Sequence, residues 1–262
     1  MKCIFCSTIF KNEGYLDKSF FNINRLSKLF DKIKVIVCYD NSGDKSLLEL
    51  TDLKKEGWDI DIIINKKPRF IYGGDGRAYN IGQARNQILN YINDKGYTDY
   101  DYFVMCDLDD VFNYELNPDI LEKYLQRNNE WDSLSFYNKG FYDTWSVSID
   151  HLQHSSWILG DDEKTAWIKQ FDRRDYLKKI VDEMKNDIRP IDSIFNGFCI
   201  HKLDKFKDIR YYPATMIDNE LIIDCEHRSF YKKANELGLK VMFSKDCLFD
   251  EFMNMNKLNM KK

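Results

Sequence analysis

Apolar runs of strand length alternate with segments of helical periodicity along the first half of the chain. Cys3–Phe10 and Lys34–Tyr39 are nearly continuous apolar runs and predict strands. Between them, Tyr15–Phe30 has apolar residues three and four positions apart, which predicts a helix. Four strands separated by three helices predict an α/β fold with a mainly parallel central sheet flanked by helices. The remaining predicted elements of this half are a helix at Lys45–Glu56, a strand at Trp58–Asn65, a loop at Lys66–Gly76, a helix at Arg77–Asn93 and a strand that begins at Tyr102.

The pattern is less regular in the second half. We expect one domain over residues 1–262, with a first half at 1–113, a second half at 114–252 and a polar tail at 253–262. The predicted helices of the second half are Pro118–Arg127, Trp167–Met184 and Cys225–Leu237, and its predicted strands are Ser133–Asn138, Thr144–Ile149, Asn196–His201 and Lys240–Ser244.

Composition narrows the function classes. The net charge of −4 gives no reason to expect a nucleic-acid partner. No apolar run approaches the ~20 residues of a membrane span, and the N-terminal run is too short for a signal peptide, so we expect a cytoplasmic protein without a transmembrane segment. Seven Cys is an odd number that fits reduced thiols. Cys3 and Cys6 have redox-motif spacing but lie within a predicted strand, so we interpret them as core residues.

Three carboxylates follow the fourth strand. The apolar run Tyr102–Cys106 ends at Asp107, Asp109 and Asp110. A buried strand tolerates acidic side chains only where it emerges from the sheet, and ligands of open α/β sheets bind at that edge. Asp107 and Asp109 are two positions apart and would point the same way from an extended backbone. Their oxygens suit Mg²⁺ or Mn²⁺ completed by a substrate phosphate, and the alternative is a solvated acidic turn.

Other polar residues fall at the same predicted edge of the sheet. Thr8 ends the first strand, and Asp40 ends the second. A carboxylate, guanidinium groups and the start of a helix together suit a nucleoside diphosphate. The residues at the start and on one face of the third helix are Arg77, Asn80, Arg85 and Asn86.

Four of these segments resemble, in order and spacing, glycosyltransferases of the GT-A fold, particularly family 2. Cys6–Leu16 is similar to the opening of such enzymes, and Cys38–Asp44 to their second strand and Asp-rich loop. Asn80–Asn86 has their Asn-x-Gly-x-Ala-Arg-Asn pattern, and Asp107–Asp110 resembles their Asp-x-Asp-Asp (DxD) metal motif. The resemblance extends over about Lys2 to Ser244.

Later segments resemble a narrower group. Tyr142–Trp145 and Phe195–Phe198 are similar to fungal capsule mannosyltransferase-like enzymes and their relatives in large DNA viruses. In such enzymes the second half binds the acceptor, here a glycan or glycoconjugate. Tyr142 and Trp145 would then form a stacking platform for it, although they could equally be core aromatics. Asn196 would be a further acceptor-binding residue.

The resemblance also implies a donor site for a UDP- or GDP-sugar in the first half. Asp40 would contact the base, and Arg77, Arg85 and Asn86 the ribose and diphosphate, with Thr8 and Asn80 completing the site. Asp109 would bind Mn²⁺ or Mg²⁺ directly. Asp107 would touch the ribose or a metal-bound water.

One departure from the family concerns the proton acceptor. Inverting members carry Glu-Asp late in the chain, whereas this chain has Glu226-His227 at a helix start. Either side chain could deprotonate the acceptor, His227 could instead be a metal ligand or make a structural hydrogen bond, and a retaining enzyme needs no base. We favour Glu226 as base and His227 as a metal or diphosphate contact. Ile222 and Ile223, expected to be buried, would bring the pair to the cleft.

Two other functions remain open. Cys106–Val111 resembles the nucleophile strand of haloacid dehalogenase-type phosphohydrolases, and Ile158–Asp162 resembles their later acidic motif. In that family, however, the acidic strand comes first, whereas three strand–helix units precede it here. The non-enzymatic alternative is a nucleotide- or glycan-binding module.

Overall fold

The computed structural model describes residues 1–66, 73–138, 143–150, 152–154, 163–217 and 219–249. The strands are β1 (Lys2–Ile9), β2 (Lys32–Asp40), β3 (Ile60–Asn65), β4 (Tyr102–Cys106), β5 (Ser133–Tyr137), β6 (Ile188–Pro190), β7 (Phe198–Lys202), β8 (Ala214–Ile217), β9 (Glu220–Ile223) and β10 (Val241–Cys247). The helices are α1 (Leu16–Ser27), α2 (Ser46–Lys55), α3 (Gly73–Asp94), α4 (Pro118–Leu125), α5 (Glu163–Glu183), α6 (Leu203–Phe206) and α7 (Glu226–Glu236), with a 3₁₀ helix at Asp110–Asn113.

Eight of these strands form one sheet in the order β3-β2-β1-β4-β7-β5-β10-β6. The neighbours β3, β2, β1 and β4 are parallel, as are β5 and β10. Strand β7 runs antiparallel to β4 and β5, and β6 runs antiparallel to β10. The predicted α/β fold with a mainly parallel sheet is therefore confirmed, and the observed sheet is mixed because β6 and β7 run antiparallel to their neighbours. Strands β8 and β9 form a separate antiparallel hairpin.

Helices cover both faces of the sheet, which explains why the central strands are apolar throughout. Successive side chains of a strand point to opposite faces. Phe5 of β1 packs in one apolar cluster with α1, and Ile4 packs in a second cluster with α3 and α7. Cys3 and Cys6 are fully buried in β1 and free, so the core interpretation of this pair is confirmed.

Three local predictions differ from the structure. Thr144–Ile149 is not a strand but turns and isolated bridges, because Ser146 and its neighbours bond across to the loop that precedes β7. Helix α3 begins at Gly73 rather than Arg77, so the glycines at positions 73, 74 and 76 belong to its first turn and not to the preceding loop. The elements that the sequence pattern did not predict are β6, α6, the β8–β9 hairpin and the 3₁₀ helix at Asp110–Asn113.

Within the described ranges, no helix is both long and apolar enough to cross a membrane. The polar tail predicted at 253–262 lies outside those ranges.

Candidate active site

The parallel strands β1 to β4 bring their carboxyl ends to one edge of the sheet. Thr8 of β1 pairs in register with Cys38 of β2, and Asp40 pairs with Asn65 of β3. Thr8, Asp40 and Asn65 are all half-buried. Thr8 and Asp40 therefore lie at the same edge of the sheet, as the sequence predicted.

Two amide side chains extend this edge from Asp40 toward α3. The Asn65 side-chain amide donates to Asp40 Oδ1 over 3.4 Å, and the Gln87 amide donates to Asn65 Oδ1 over 3.0 Å. Neither amide was predicted to belong to the site. The available signal was that Asn65 ends the third strand just as Asp40 ends the second.

The acidic turn begins where β4 ends. The Asp107 amide donates to the Gly197 carbonyl over 3.0 Å, which joins the turn to the segment before β7. Asp109 is the N-cap of the 3₁₀ helix, and its Oδ1 accepts from the Val111 amide over 3.0 Å. Both acidic side chains are half-buried. The turn is therefore an ordered structure with defined carboxylate positions rather than a fully solvated loop.

Two buried asparagines hold this turn from the opposite side. Asn12 donates to the Leu108 carbonyl over 2.8 Å, and Asn22 of α1 donates to the Phe112 and Tyr114 carbonyls over 2.7 and 2.6 Å. Asn12 stands in the segment after the first strand, where polar residues were expected. The sequence around Asn22 does not indicate this role, because the carbonyl groups that it binds are about ninety residues away along the chain.

The electrostatics of the acidic turn suit a cation. Burial first, and then the neighbouring charges of Asp107 and Asp110, raise the pKa of Asp109 to about 7. The described residues contain no group of three or more His, Cys, Asp or Glu side chains arranged to hold a metal ion. Two carboxylates plus substrate phosphates are nevertheless the usual protein contribution to a Mg²⁺ site, so the donor set fits such an ion.

Arg85 of α3 connects this turn to α7. Its guanidinium lies near the rings of Phe195 and Tyr211, 5.0 and 5.5 Å from their centroids, and the residue is only 4% exposed. One nitrogen, Nη1, is bonded to Glu226 Oε1, and the other, Nη2, is 3.3 Å from Asp107 Oδ1. Arg85 is thus enclosed between two carboxylates and two aromatic rings, and the protein itself provides its charge partners.

Glu226 and His227 lie at the start of α7 and are buried, with 5% and 1% exposure. Burial raises the pKa of Glu226, and Arg85 opposes that rise. Burial lowers the pKa of His227 far below its usual range, and the Arg85 charge adds to the effect, so the imidazole is neutral. The expected burial is wrong for Ile223, which is 42% exposed. Glu226 and His227 are nevertheless linked to Asp107, because Arg85 contacts all three side chains.

The role expected for His227, a metal or diphosphate contact, stays a prediction. Its Nε2 lies 2.6 Å from Arg85 Nη1, and its ring is stacked on Phe195 with centroids 3.9 Å apart. His227 forms no three-residue metal site with Asp107 and Asp109 among the described residues. The imidazole of His227 therefore packs between Arg85 and Phe195.

Helix α3 lies close to α7 at Gly82. A Cβ added to this glycine would lie 3.2 Å from Glu226 Cβ and 3.6 Å from Pro213 Cδ. Contacts of 3.2 Å are tighter than ordinary packing, so glycine at this position allows Glu226 to reach Arg85.

The other predicted residues of α3 differ in their surroundings. Arg77 is exposed and within electrostatic range of Asp109 and Glu226. Asn80 is nearly buried, at 9% exposure. Asn86 exchanges two hydrogen bonds of 2.8 Å with the Tyr211 backbone, so in this conformation both ends of its amide are engaged by the protein.

Among the residues expected to bind an acceptor, Asn196 is buried directly before Gly197, whose carbonyl accepts a hydrogen bond from the Asp107 amide. Trp145 is half-buried, and Tyr142 lies outside the described residues. The sequence reasoning missed Asp143, which is half-buried and within electrostatic range of Glu226, Asp107 and Arg85. Its signal was present, since it stands between the two aromatics expected to bind the acceptor.

The fold is similar to that of GT-A glycosyltransferases of known structure. TarS of S. aureus in complex with UDP matches with a TM-score of 0.51 and 13% identity over 95% of the chain. The mannosyltransferase PcManGT of Pyrobaculum calidifontis, in complex with GDP-Man and Mn²⁺, matches with a TM-score of 0.52 and 9% identity over 91% of the chain. No family model and no curated protein matches the chain.

The similarity therefore confirms the expected GT-A-like fold. The chain spans 59% of the TarS structure that contains UDP, 36% of a longer TarS structure and 53% of the mannosyltransferase. The activity, the substrates and the metal of this chain are therefore inferred from the residues of its own site.

Proposed function

We propose that the chain is a metal-dependent glycosyltransferase that moves a sugar from a UDP- or GDP-sugar to a hydroxyl group of a glycan or glycoconjugate. The observation that carries the proposal is the placement of Asp107 and Asp109 at the carboxyl end of β4, beside the exposed Arg77 of α3. Carboxylates for a cation and a guanidinium for phosphate are what a nucleoside diphosphate requires.

The base of the donor lies at the ends of β2 and β3 in this proposal. The Asp40 carboxylate accepts from ring or exocyclic N–H groups of the base. The Gln87–Asn65–Asp40 chain of hydrogen bonds orients that carboxylate. Thr8 lies on β1, the strand next to β2, and Asn80 lies on α3. In this proposal both residues contact the ribose of the donor. Arg77 reaches the diphosphate.

Asp107 and Asp109 hold Mn²⁺ or Mg²⁺ in this proposal. When bound, the ion neutralises negative charge on the departing diphosphate. Arg85 acts on Asp107 rather than on the donor, because its Nη2 is 3.3 Å from Asp107 Oδ1 and its other end is bonded to Glu226. Asn12 fixes the peptide between the two aspartates by bonding the Leu108 carbonyl. Asn86 acts on the Tyr211 backbone.

The acceptor lies on the β7 side of the acidic turn. Trp145 and Asn196 line this side, with Asn196 next to the peptide that pairs with Asp107. Tyr142, which lies outside the described residues, remains a proposed acceptor contact from the sequence alone. Glu226 and His227 support the site through Arg85. No observation favours the phosphohydrolase alternative, whose second acidic motif lies outside the described residues.

A thermal-shift matrix tests the proposal. UDP- and GDP-sugars are each added with and without MnCl₂, and we expect a rise in Tm that needs both nucleotide sugar and metal. A ligand at 100 times its Kd adds ~2.7 kcal/mol to the free energy of unfolding. Release of UDP or GDP from the bound donor, with methanol as acceptor, then measures catalysis. Binding without release would favour a non-catalytic module, and turnover of p-nitrophenyl phosphate would favour a phosphohydrolase.

A further inference from the structure

Two carboxyl groups other than those of the acidic turn face the buried Arg85, and they differ in accessibility. Glu226 is 5% exposed, and its Oε1 is bonded to the Arg85 guanidinium. A group that takes a proton from a substrate must come within hydrogen-bond reach of it. Glu226 is enclosed and already paired with a cation, so a substrate hydroxyl has little access to its carboxylate.

Asp143 has the opposite character. It is half-buried, and its only side-chain hydrogen bond within the described residues comes from the Ser146 amide, 3.3 Å from Oδ1. In that part of the chain, no Lys or Arg lies within ion-pair distance of its carboxylate. Glu226 from α7, Asp107 from the acidic turn and Arg85 from α3 are within electrostatic range. Arg85 already pairs with the other two carboxylates.

The segment that carries Asp143 is held firmly, although it is not regular secondary structure. Ser146 Oγ donates to the Phe195 carbonyl over 2.8 Å and accepts from the Phe195 amide over 2.9 Å. Arg228 and Arg173 both donate to the Val147 carbonyl, over 2.6 and 3.1 Å. Phe195 itself stacks on His227. Asp143 is therefore positioned against the Arg85 cluster from the acceptor side.

The protonation behaviour of Asp143 agrees with this geometry. Burial first, then the charges of Glu226 and Asp107, raise its pKa to about 7, while Arg85 and the Ser146 amide oppose the rise. A carboxylate whose pKa lies near the working pH is an effective general base.

We propose that Asp143 is the catalytic residue that receives the proton of the acceptor hydroxyl, an inference that rests on the proposed glycosyl transfer. The acceptor oxygen forms a bond to the anomeric carbon as the bond from that carbon to the diphosphate oxygen breaks. The electron pair leaves with the nucleoside diphosphate, and the hydroxyl proton moves to the Asp143 carboxylate. Attack from the face opposite the diphosphate inverts the anomeric configuration. Glu226 is a positioning residue in this scheme.

The test uses the nucleotide sugar with the largest Mn²⁺-dependent thermal shift, and methanol as the acceptor. Asp143→Asn and Asp143→Ala should lower kcat by ~10²–10⁴ and leave donor affinity within about threefold. Formate should restore activity to Asp143→Ala but not to Asp143→Asn, whose amide fills the vacated space. Asp172→Asn, an exposed aspartate of α5, is the matched control and should behave as wild type.

The configuration of the methyl glycoside, read by NMR, provides an independent arm. Inversion is expected, and retention would overturn the proposal. Unchanged kcat in both Asp143 variants would also overturn it, as would a loss of donor affinity equal to the loss of rate without rescue by formate. In each of these cases wild-type transfer persists and the proposed function stands. If the wild-type protein neither binds nor cleaves any nucleotide sugar, the proposed function fails and this inference fails with it.

Discussion

The side-chain amide of Asn12 donates a hydrogen bond of 2.8 Å to the Leu108 carbonyl, which belongs to the peptide between Asp107 and Asp109. Asn12 is 5% exposed, and its Oδ1 accepts from the Phe10 amide over 2.8 Å. The end of β1 therefore sets the orientation of the acidic turn that follows β4. Sequence motifs report the two aspartates, but not the residue that orients the peptide joining them.

Asn12→Ala should weaken Mn²⁺-dependent donor binding as well as the fold. The Leu108 carbonyl would lose its buried partner, at a cost of ~1–3 kcal/mol. We expect a lower Tm and an increase of about tenfold in the donor Kd measured by calorimetry with Mn²⁺. Asn117→Ala removes the N-cap of α4, a comparable stability loss without contact to Leu108. Equal donor affinities in the two variants would show that Asn12 has no role in the turn.

Gly82→Ala should not stabilise α3, although alanine is the better helix former by ~1 kcal/mol. The new Cβ would stand 3.2 Å from Glu226 Cβ, which α7 and Arg85 hold in place. We expect the free energy of unfolding in urea to fall by ~1 kcal/mol or more. Asn90→Ala, at an exposed position of the same helix, should change it by less than ~0.5 kcal/mol. A Gly82→Ala protein more stable than wild type would mean that the two helices separate easily.

Arg85→Met should be strongly destabilising, because it leaves the buried Glu226 carboxylate without its cation. Breaking a buried ion pair at one partner costs ~3–5 kcal/mol, whereas replacing both partners by apolar groups is often neutral. The double variant Arg85→Met with Glu226→Leu should therefore recover more than half of the loss in urea unfolding. Additive losses in the double variant would indicate that Arg85 is held mainly by Asp107 and the aromatic rings.

How far the sequence predicts the molecule depends on the range of each interaction. Strands β1 to β4 and the helices between them were recognisable because each buries a face that its own periodicity reveals. The strand prediction for Thr144–Ile149 was wrong because the buried serines of this segment form hydrogen bonds to Ser193 and Phe195. These residues are about fifty positions away, so no local pattern distinguishes such a segment from a strand. The Arg85–Glu226 contact joins residues 141 apart, and no local pattern indicates such a pair.

Acid should destabilise the protein through His201, which is fully buried and stacked on Phe103 with ring centroids 4.6 Å apart. Burial lowers the pKa of His201 to about 3, whereas an unfolded histidine titrates near 6.5. Between these values the unfolded chain binds a proton and the folded chain does not, so stability falls as the pH falls. The His201 contribution to this change is a loss of about 2 kcal/mol from pH 7 to pH 5, whereas Asp109 and Asp143, whose pKa values are raised to about 7, contribute with the opposite sign.

Urea unfolding of wild type and of the His201 variants at the two pH values isolates this contribution. His201→Phe and His201→Gln both lack the titrating ring, so in both variants the change in stability from pH 7 to pH 5 should be more favourable than in wild type by about 2 kcal/mol. The two replacements differ in packing, and only their shared behaviour tests the titration. His227, also buried and neutral, leaves a residual dependence of the same sign. A full wild-type pH dependence in both variants would assign the effect elsewhere.

Asp109→Asn should separate stability from function at the acidic turn. Without a cation, burial first and then repulsion by Asp107 and Asp110 raise the pKa of Asp109 to about 7. A carboxyl group with a raised pKa costs folding stability as the pH rises from its unfolded value near 4 through 7. The amide carries no charge and can still accept the capping bond from the Val111 amide. In EDTA at pH 8 the variant should therefore be more stable than wild type, by ~1–3 kcal/mol.

With Mn²⁺ and a nucleotide sugar the order should reverse. Wild type should gain stability with both ligands, whereas Asp109→Asn should gain none, since an amide oxygen is a far weaker ligand than a carboxylate. Asp119→Asn, an acidic residue in the first turn of α4, is the control and should respond to the ligands as wild type does. A metal-dependent Tm rise of wild-type size in Asp109→Asn would remove this residue from the metal site. If Asp109→Asn is less stable than wild type in EDTA, repulsion between Asp109 and its acidic neighbours does not destabilise the wild-type protein.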